Sequence, residues 1–126
     1  MIQEEKQLLL KDLSARLMYG IICKCLHSNN VKATAIDTED SSVYYFDCDE
    51  WESIEYCKPY LRPMSSMTDE EKKELFEIGC EGNIEYPYGM YFRCQDWLNA
   101  HHFDYRGLIE KGLAIAVTEE NNPYKK

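Results

Sequence analysis

Basic residues, glycine, proline and long apolar runs are all scarce in this sequence. Fourteen Lys plus Arg face 23 Asp plus Glu, a formal net charge of −9 over 126 residues. The longest basic runs are Lys72-Lys73 and Lys125-Lys126. Binding to DNA or RNA needs a basic face that displaces counterions from phosphates. The charge balance therefore argues against nucleic acid, and against anionic membranes for the same reason. No segment approaches the roughly 18 apolar residues of a membrane span. The amino terminus opens with acids, and its three leucines are cut off by Lys11 and Asp12, unlike a secretory leader. The expectation is a cytoplasmic protein with neither export signal nor membrane association.

With 6 glycines and 4 prolines, the chain has no glycine-rich phosphate loop, no dinucleotide fingerprint and no Gly-x-Ser-x-Gly elbow. No cofactor is expected on these grounds. Internal repeats and low-complexity stretches are absent too. One domain over residues 1–118 is expected, with a flexible tail over 119–126.

Hydrophobic residues, at 44%, and aromatic residues, at 13%, are plentiful enough for one packed core. Leu9, Leu10, Leu13 and Leu17 fall at helical spacing and predict a helix over 4–18, with Glu4, Glu5, Lys11 and Arg16 on the wet side. Gly20 supplies a stop. The pattern then turns to β. Residues 21–26, 31–38 and 43–46 predict an antiparallel meander, with Val31, Ala33 and Ala35 on one face of the second strand and Lys32, Thr34 and Ile36 on the other. Residues 56–67 read as irregular because of Pro59 and Pro63.

Thr68 and Glu71 form a capping box ahead of a helix over 69–78, with Leu75, Phe76 and Ile78 packing and Gly79 ending it. Residues 81–89 read as a loop or short strand, 90–94 as a strand and 96–102 as a helix. Asp104 then caps a short helix that Gly112 closes, and 113–117 reads as a final strand. The fold class expected is α+β: an antiparallel sheet of three or more strands packed on an N-terminal helix, with two or three further short helices.

Several groupings bear on chemistry. His101 and His102 with Asp104 are the most enzyme-like, since a carboxylate can orient an imidazole for general-base work. Adjacent helical residues point about 100° apart, however, and no nucleophile stands at a defined spacing. Both imidazoles are as well explained by the dipole at a helix C-terminus. Cys23, Cys25 and His27 would share one strand face and could approach a metal, but their spacing is poor for zinc and no second pair follows. The six cysteines are read as reduced thiols, mostly packed as small hydrophobes.

Between Lys32 and Lys58 there is no basic residue, while Asp37, Glu39, Asp40, Asp47, Asp49, Glu50, Glu52 and Glu55 all fall there. The glycine of a calcium loop is missing, so a solvated acidic edge is the reading. The ten tyrosines and two tryptophans suit a protein interface. Tyr86, Tyr88 and Tyr91 are the expected contact patch.

Three segments, LLLKDLSARLMYG from Leu8, KPYLRPMSSMT from Lys58 and DWLNAHHFDYRGLIEKGLA from Asp96, carry a resemblance. They resemble a family of small uncharacterised proteins encoded by intestinal bacteria and by their phages and mobile elements. The likeness covers roughly a third of the chain. Met18 stands where that pattern has proline. The resemblance implies a bacterial or phage setting and no activity, so no catalytic residue is carried over. The leading functional expectation is a binding or regulatory protein acting through a protein partner. One version is an acidic decoy for a nucleic-acid-binding enzyme, which requires carboxylates exposed in a row. The alternative is a small hydrolase-like enzyme or metal protein built on His101, His102 and Asp104.

Overall fold

A computed structural model describes residues 1–78 and 92–125. Helix α1 (Gln3–Arg16) begins where the Glu5 carboxylate accepts a hydrogen bond from the Ile2 N–H at 3.2 Å. Its Leu9, Leu10 and Leu13 are buried. A single 3-10 turn over Leu17–Tyr19 follows, and Gly20 ends the run at φ +72°, a conformation that glycine adopts without a Cβ penalty.

Among the described residues six strands form one sheet: β1 (Ile22–Lys24), β2 (Val31–Asp37), β3 (Ser42–Tyr45), β4 (Glu50–Ser53), β5 (Lys58–Leu61) and β6 (Ile115–Ala116). Their order is β4-β3-β2-β1-β5-β6, antiparallel throughout except for the parallel β5–β6 pair. The fold is α+β, as the hydrophobic pattern implies. The meander is where the alternation predicts it, with one correction of face. A register shift between Ala33 and Ala35 sets Ala35 opposite Tyr44 and Ile36 opposite the buried Val43. Such a bulge reverses the parity of everything beyond it. Ile36 therefore packs against the core with Val31 and Ala33.

Two strands were not expected. Strand β4 lies inside the acidic stretch, and β5 runs through Pro59 in the segment read as irregular. Proline is tolerated there because β6 pairs with β5 only from Tyr60 onward, which leaves Pro59 with β1 on one side alone.

Helix α1 covers the core face of the sheet, where Cys23, Val31, Ala33, Val43, Tyr45 and Leu61 are buried. A second cluster joins Met67, Leu75, Cys94, Trp97, Leu98 and Phe103, drawn from helix α2 (Asp69–Glu77), helix α3 (Phe92–Ala100) and their flanks. The capping box of α2 is formed as its residues predict: Thr68 Oγ1 accepts from Glu71 N–H at 3.1 Å, and Glu71 Oε1 accepts from Thr68 N–H at 3.0 Å. Phe76 does not pack; it is 59% exposed. Residues 92–94 are helical, not strand, and the expected helix after Asp104 is a series of turns in which Gly112 takes φ +73°.

Cys23, Cys25, Cys48 and Cys57 are free, whereas Cys94 is disulfide-bonded, which corrects the reading of uniformly reduced thiols. Near the tail, Tyr124 is an anchor: its hydroxyl accepts from Ile22 N–H at 3.0 Å and donates to Tyr60 O at 2.8 Å, bridging β1 and β5.

The largest departure from expectation is on α1. Arg16, assigned to the wet side, is fully buried, and so is Asp12 one turn earlier. Arg16 Nε and Nη2 donate to Asp12 at 2.9 and 3.1 Å, and Nη2 also donates to Phe103 O at 2.6 Å. Arg106 Nη1 donates to Asp12 at 2.9 Å, and both guanidiniums lie over the Tyr105 ring. A buried carboxylate so placed holds two cations from distant parts of the chain.

Removing one partner of a buried pair leaves the other charge uncompensated. Asp12→Ala is expected to lower stability by about 3–5 kcal/mol, measured by urea unfolding. Asp12→Leu combined with Arg16→Met should recover most of that loss. Tyr124→Phe strands the Ile22 N–H and is expected to cost about 1–3 kcal/mol in the same assay.

Candidate functional site

The two histidines follow the last turn of α3, and the backbone there separates them. His102 takes φ +63°, a left-handed conformation uncommon for a residue with a Cβ. It is held by His102 N–H donating to Asn99 O at 3.1 Å and by His102 O accepting from Arg62 N–H at 2.7 Å. The rings consequently go different ways. His101 stacks on Trp97, centroids 4.1 Å apart, with Nδ1 3.9 Å from a Glu71 oxygen. His102 stacks on Tyr124, centroids 3.7 Å apart, and its buried Nδ1 has no hydrogen-bond partner. Asp104 turns away from both and accepts from Leu108 and Ile109 N–H at 2.8 and 2.9 Å. The three residues are close in sequence and do not form an acid–base relay.

Burial, with the Arg16, His101 and Arg62 charges adding to it, pushes the His102 imidazole down to about 4, so it is neutral at pH 7. A neutral ring gains nothing from a helix dipole, which removes the dipole explanation for His102. Burial also raises the Tyr124 hydroxyl above its ordinary range. These rings line a cleft of about 380 Å³ together with Arg62, Ala100, Asn122 and Lys125.

Arg62 is the hub between the two sides of this region. It reaches Glu71 with both terminal nitrogens at 2.7 Å and lies over the Phe103 ring at 4.1 Å. The hydrogen bonds from Arg62 outweigh partial burial and hold the Glu71 carboxyl at about 2. Trp97 Nε1 donates to Glu74 at 2.9 Å, which ties α3 to α2.

His27 is exposed in the turn after β1, apart from the buried Cys23 and Cys25. Among the described residues, no group of three or more His, Cys, Asp or Glu side chains is placed to hold a metal ion. The residues Tyr86, Tyr88 and Tyr91 lie outside the described residues.

A different aromatic surface is present, and it went unremarked because its residues sit within the acidic stretch. Tyr44 on β3 pairs with Trp51 on β4, ring centroids 5.4 Å apart, on the sheet face opposite α1. Phe46 follows in the turn. Trp51 is 53% exposed and Phe46 71%. Asp47 and Asp49 lie in the same turn, while Glu50 and Glu52, paired with the buried Tyr45 and Val43, stand on the other face of the hairpin. The available signal was parity: Tyr44 and Trp51 alternate with the inward Val43 and Tyr45 across a hairpin.

Among the described residues no helix is long and apolar enough to cross a membrane. No protein family, curated protein or solved structure matches the chain.

Two titrations among the described residues contribute to acid stability. His102 is depressed from 6.5 to about 4, so its contribution is complete above pH 6.5 and is lost as pH falls toward 4. Glu71 is depressed from 4.5 to about 2, so its contribution is complete above pH 4.5 and is lost between there and pH 2. Chemical unfolding as a function of pH is expected to show both declines. His102→Phe should remove the upper one, and Glu71→Gln the lower.

Proposed function

We propose that this chain is a protein-binding module whose contact surface is the outer face of the β3–β4 hairpin. The observation that carries the reading is the exposure of Trp51 and Phe46 on a hairpin whose turn carries Asp47 and Asp49 and whose edge strand carries Glu50 and Glu52. Large aromatics at such exposure expose apolar area that a partner can bury, and Trp and Tyr dominate binding hot spots. The absence of any basic residue between Lys32 and Lys58 defines the complement: a protein surface with an apolar centre and a Lys/Arg rim. A second copy of the chain fits poorly, because pairing of two β4 edges would bring Glu50 and Glu52 against their own kind. The resemblance to small proteins of intestinal bacteria and their phages supports a bacterial or phage setting for this binding.

The decoy version draws less support. Asp47 accepts from Lys32 N–H at 3.0 Å, Glu52 from Leu26 N–H at 3.1 Å, and Asp49 from the Tyr44 hydroxyl. Three of the four carboxylates thus hold the hairpin together or tie it to β2 and the end of β1, and do not stand in an open row like phosphates. An enzyme built on the His102 cleft has the neutral imidazole in its favour, but Asp104 is committed to backbone and does not orient that ring.

Capture from a bacterial lysate, quantified against variants of the same tagged chain, tests the reading. The wild type is expected to retain a defined partner, with Phe46→Ala plus Trp51→Ala lowering affinity at least about 30-fold, as loss of a hot spot does. Glu50→Lys should slow association, and added salt should erase that difference. Equal capture by all three proteins would exclude this face.

A further inference from the structure

Four free thiols from three separate segments meet beneath the sheet's core face. Cys23 and Cys25, two apart on and just after β1, project the same way and are buried. Cys57 enters from the turn before β5 and its thiol touches that of Cys23. Cys48 enters from the turn between β3 and β4 and its thiol touches that of Cys25. Tyr45, fully buried and with no hydrogen-bond partner for its hydroxyl, lies against Cys57. Cys23 and Cys57 have no exposed surface and Cys25 is 3% exposed, whereas Cys48 is only partly buried. The outcome is one accessible thiol backed directly by a second that solvent does not reach. That is the geometry of an attacking sulfur with a resolving partner.

We propose that Cys48 is a modification site for low-molecular-weight disulfides, with Cys25 as its resolving thiol. In the first step the Cys48 thiolate attacks one sulfur of the small disulfide. A mixed disulfide forms on Cys48, and the other half leaves as a thiolate that takes up the proton. In the second step the Cys25 thiolate attacks the Cys48 sulfur and expels the remaining half as a second thiolate. The balance is complete: two protein thiols are oxidised to one Cys25–Cys48 disulfide, and one small disulfide is reduced to two small thiols. The cross-link ties the β3–β4 turn to the end of β1, across a loop that contains β2 and β3.

The neighbouring charges set which disulfide reacts and how fast. Glu50 and Glu52 on β4 and Cys25 beside β1 face Cys48. Burial first, and these groups after it, raise its thiol above the ordinary 9.0. Only the thiolate attacks, so the rate should climb about tenfold per pH unit through neutrality without a plateau. The carboxylates should also favour a cationic disulfide over an anionic one.

The experiment treats the full native chain with excess cystamine (dicationic) or glutathione disulfide (anionic), followed by alkylation and non-reducing peptide mapping. The expected product joins the Cys25 and Cys48 peptides with loss of two hydrogens and retains no cysteamine. Cystamine should act faster than glutathione disulfide. The linked protein should melt about 10 °C higher, since the closed loop constrains the unfolded chain. Cys25→Ser should stop at cysteamine on Cys48, and Cys48→Ser should leave Cys25 unmodified. A wild-type product that keeps cysteamine on Cys48 would overturn the assignment of Cys25. A native Cys48 that stays unmodified under conditions where the guanidinium-unfolded chain reacts would overturn the site.

Discussion

The Asp12 carboxylate, held between Arg16 and Arg106 with no exposure to water, is the constraint from which the arrangement of this fold follows. Taking ions out of water costs several kcal/mol each, and only close, well-directed partners offset it. Arg16 and Asp12 satisfy much of that need within α1. The remainder comes from Phe103 O and Arg106, nearly ninety residues away or more. Helix α1 can therefore be buried at its C-terminal end only when residues 103–106 are already in place against it. Hydrophobic burial by Leu9 and Leu13 drives the helix onto the sheet; the ion network specifies its partner there.

That coupling extends into the second cluster. Arg62, just beyond β5, exchanges backbone hydrogen bonds with His102 and Asp104 while its side chain holds Glu71 at the start of α2. Three segments meet here: α1 with Asp12 and Arg16, the strand end with Arg62, and the stretch from Asp96 to Ala114. The buried polar network, more than any exposed residue, is what these segments have in common spatially.

How much of this was legible in the residues can be judged element by element. The α+β class, the meander and the Thr68–Glu71 cap follow from local periodicity and short-range hydrogen bonding, and these are properties a sequence displays directly. Arg16 was misplaced because an acid and a base four apart on a helix usually form a solvated pair. The spacing of Leu9, Asp12, Leu13 and Arg16 nonetheless falls on one helical stripe, so the burial was readable in position though hidden by residue type. The bulge in β2 left no mark, since Ala and Thr fit either face. Strand β5 was hidden by Pro59, whose tolerance depends on where β6 begins, a fact no local pattern contains. For the candidate site, the adjacency of His101 and His102 is visible in the sequence, but the left-handed backbone at His102 that parts them is held by Arg62 from another segment. Trp51 and Phe46 were masked by the acids around them.

Those acids also explain how the hairpin can leave aromatics uncovered. An exposed edge strand with Trp and Phe invites pairing with any other extended chain. On β4 Trp51 alternates with Glu50 and Glu52, and Phe46, Asp47 and Asp49 occupy the turn, so two identical edges would repel one another. Asp49 accepts from the Tyr44 hydroxyl within the hairpin, and Asp47 and Glu52 tie it to β2 and the end of β1, which would lower the ordering entropy a partner's contact costs. Charge that opposes pairing of two β4 edges and charge that would shape the proposed binding face are carried by the same few side chains. If the surface binds as proposed, a substitution that removes one of these charges should alter both edge repulsion and partner choice.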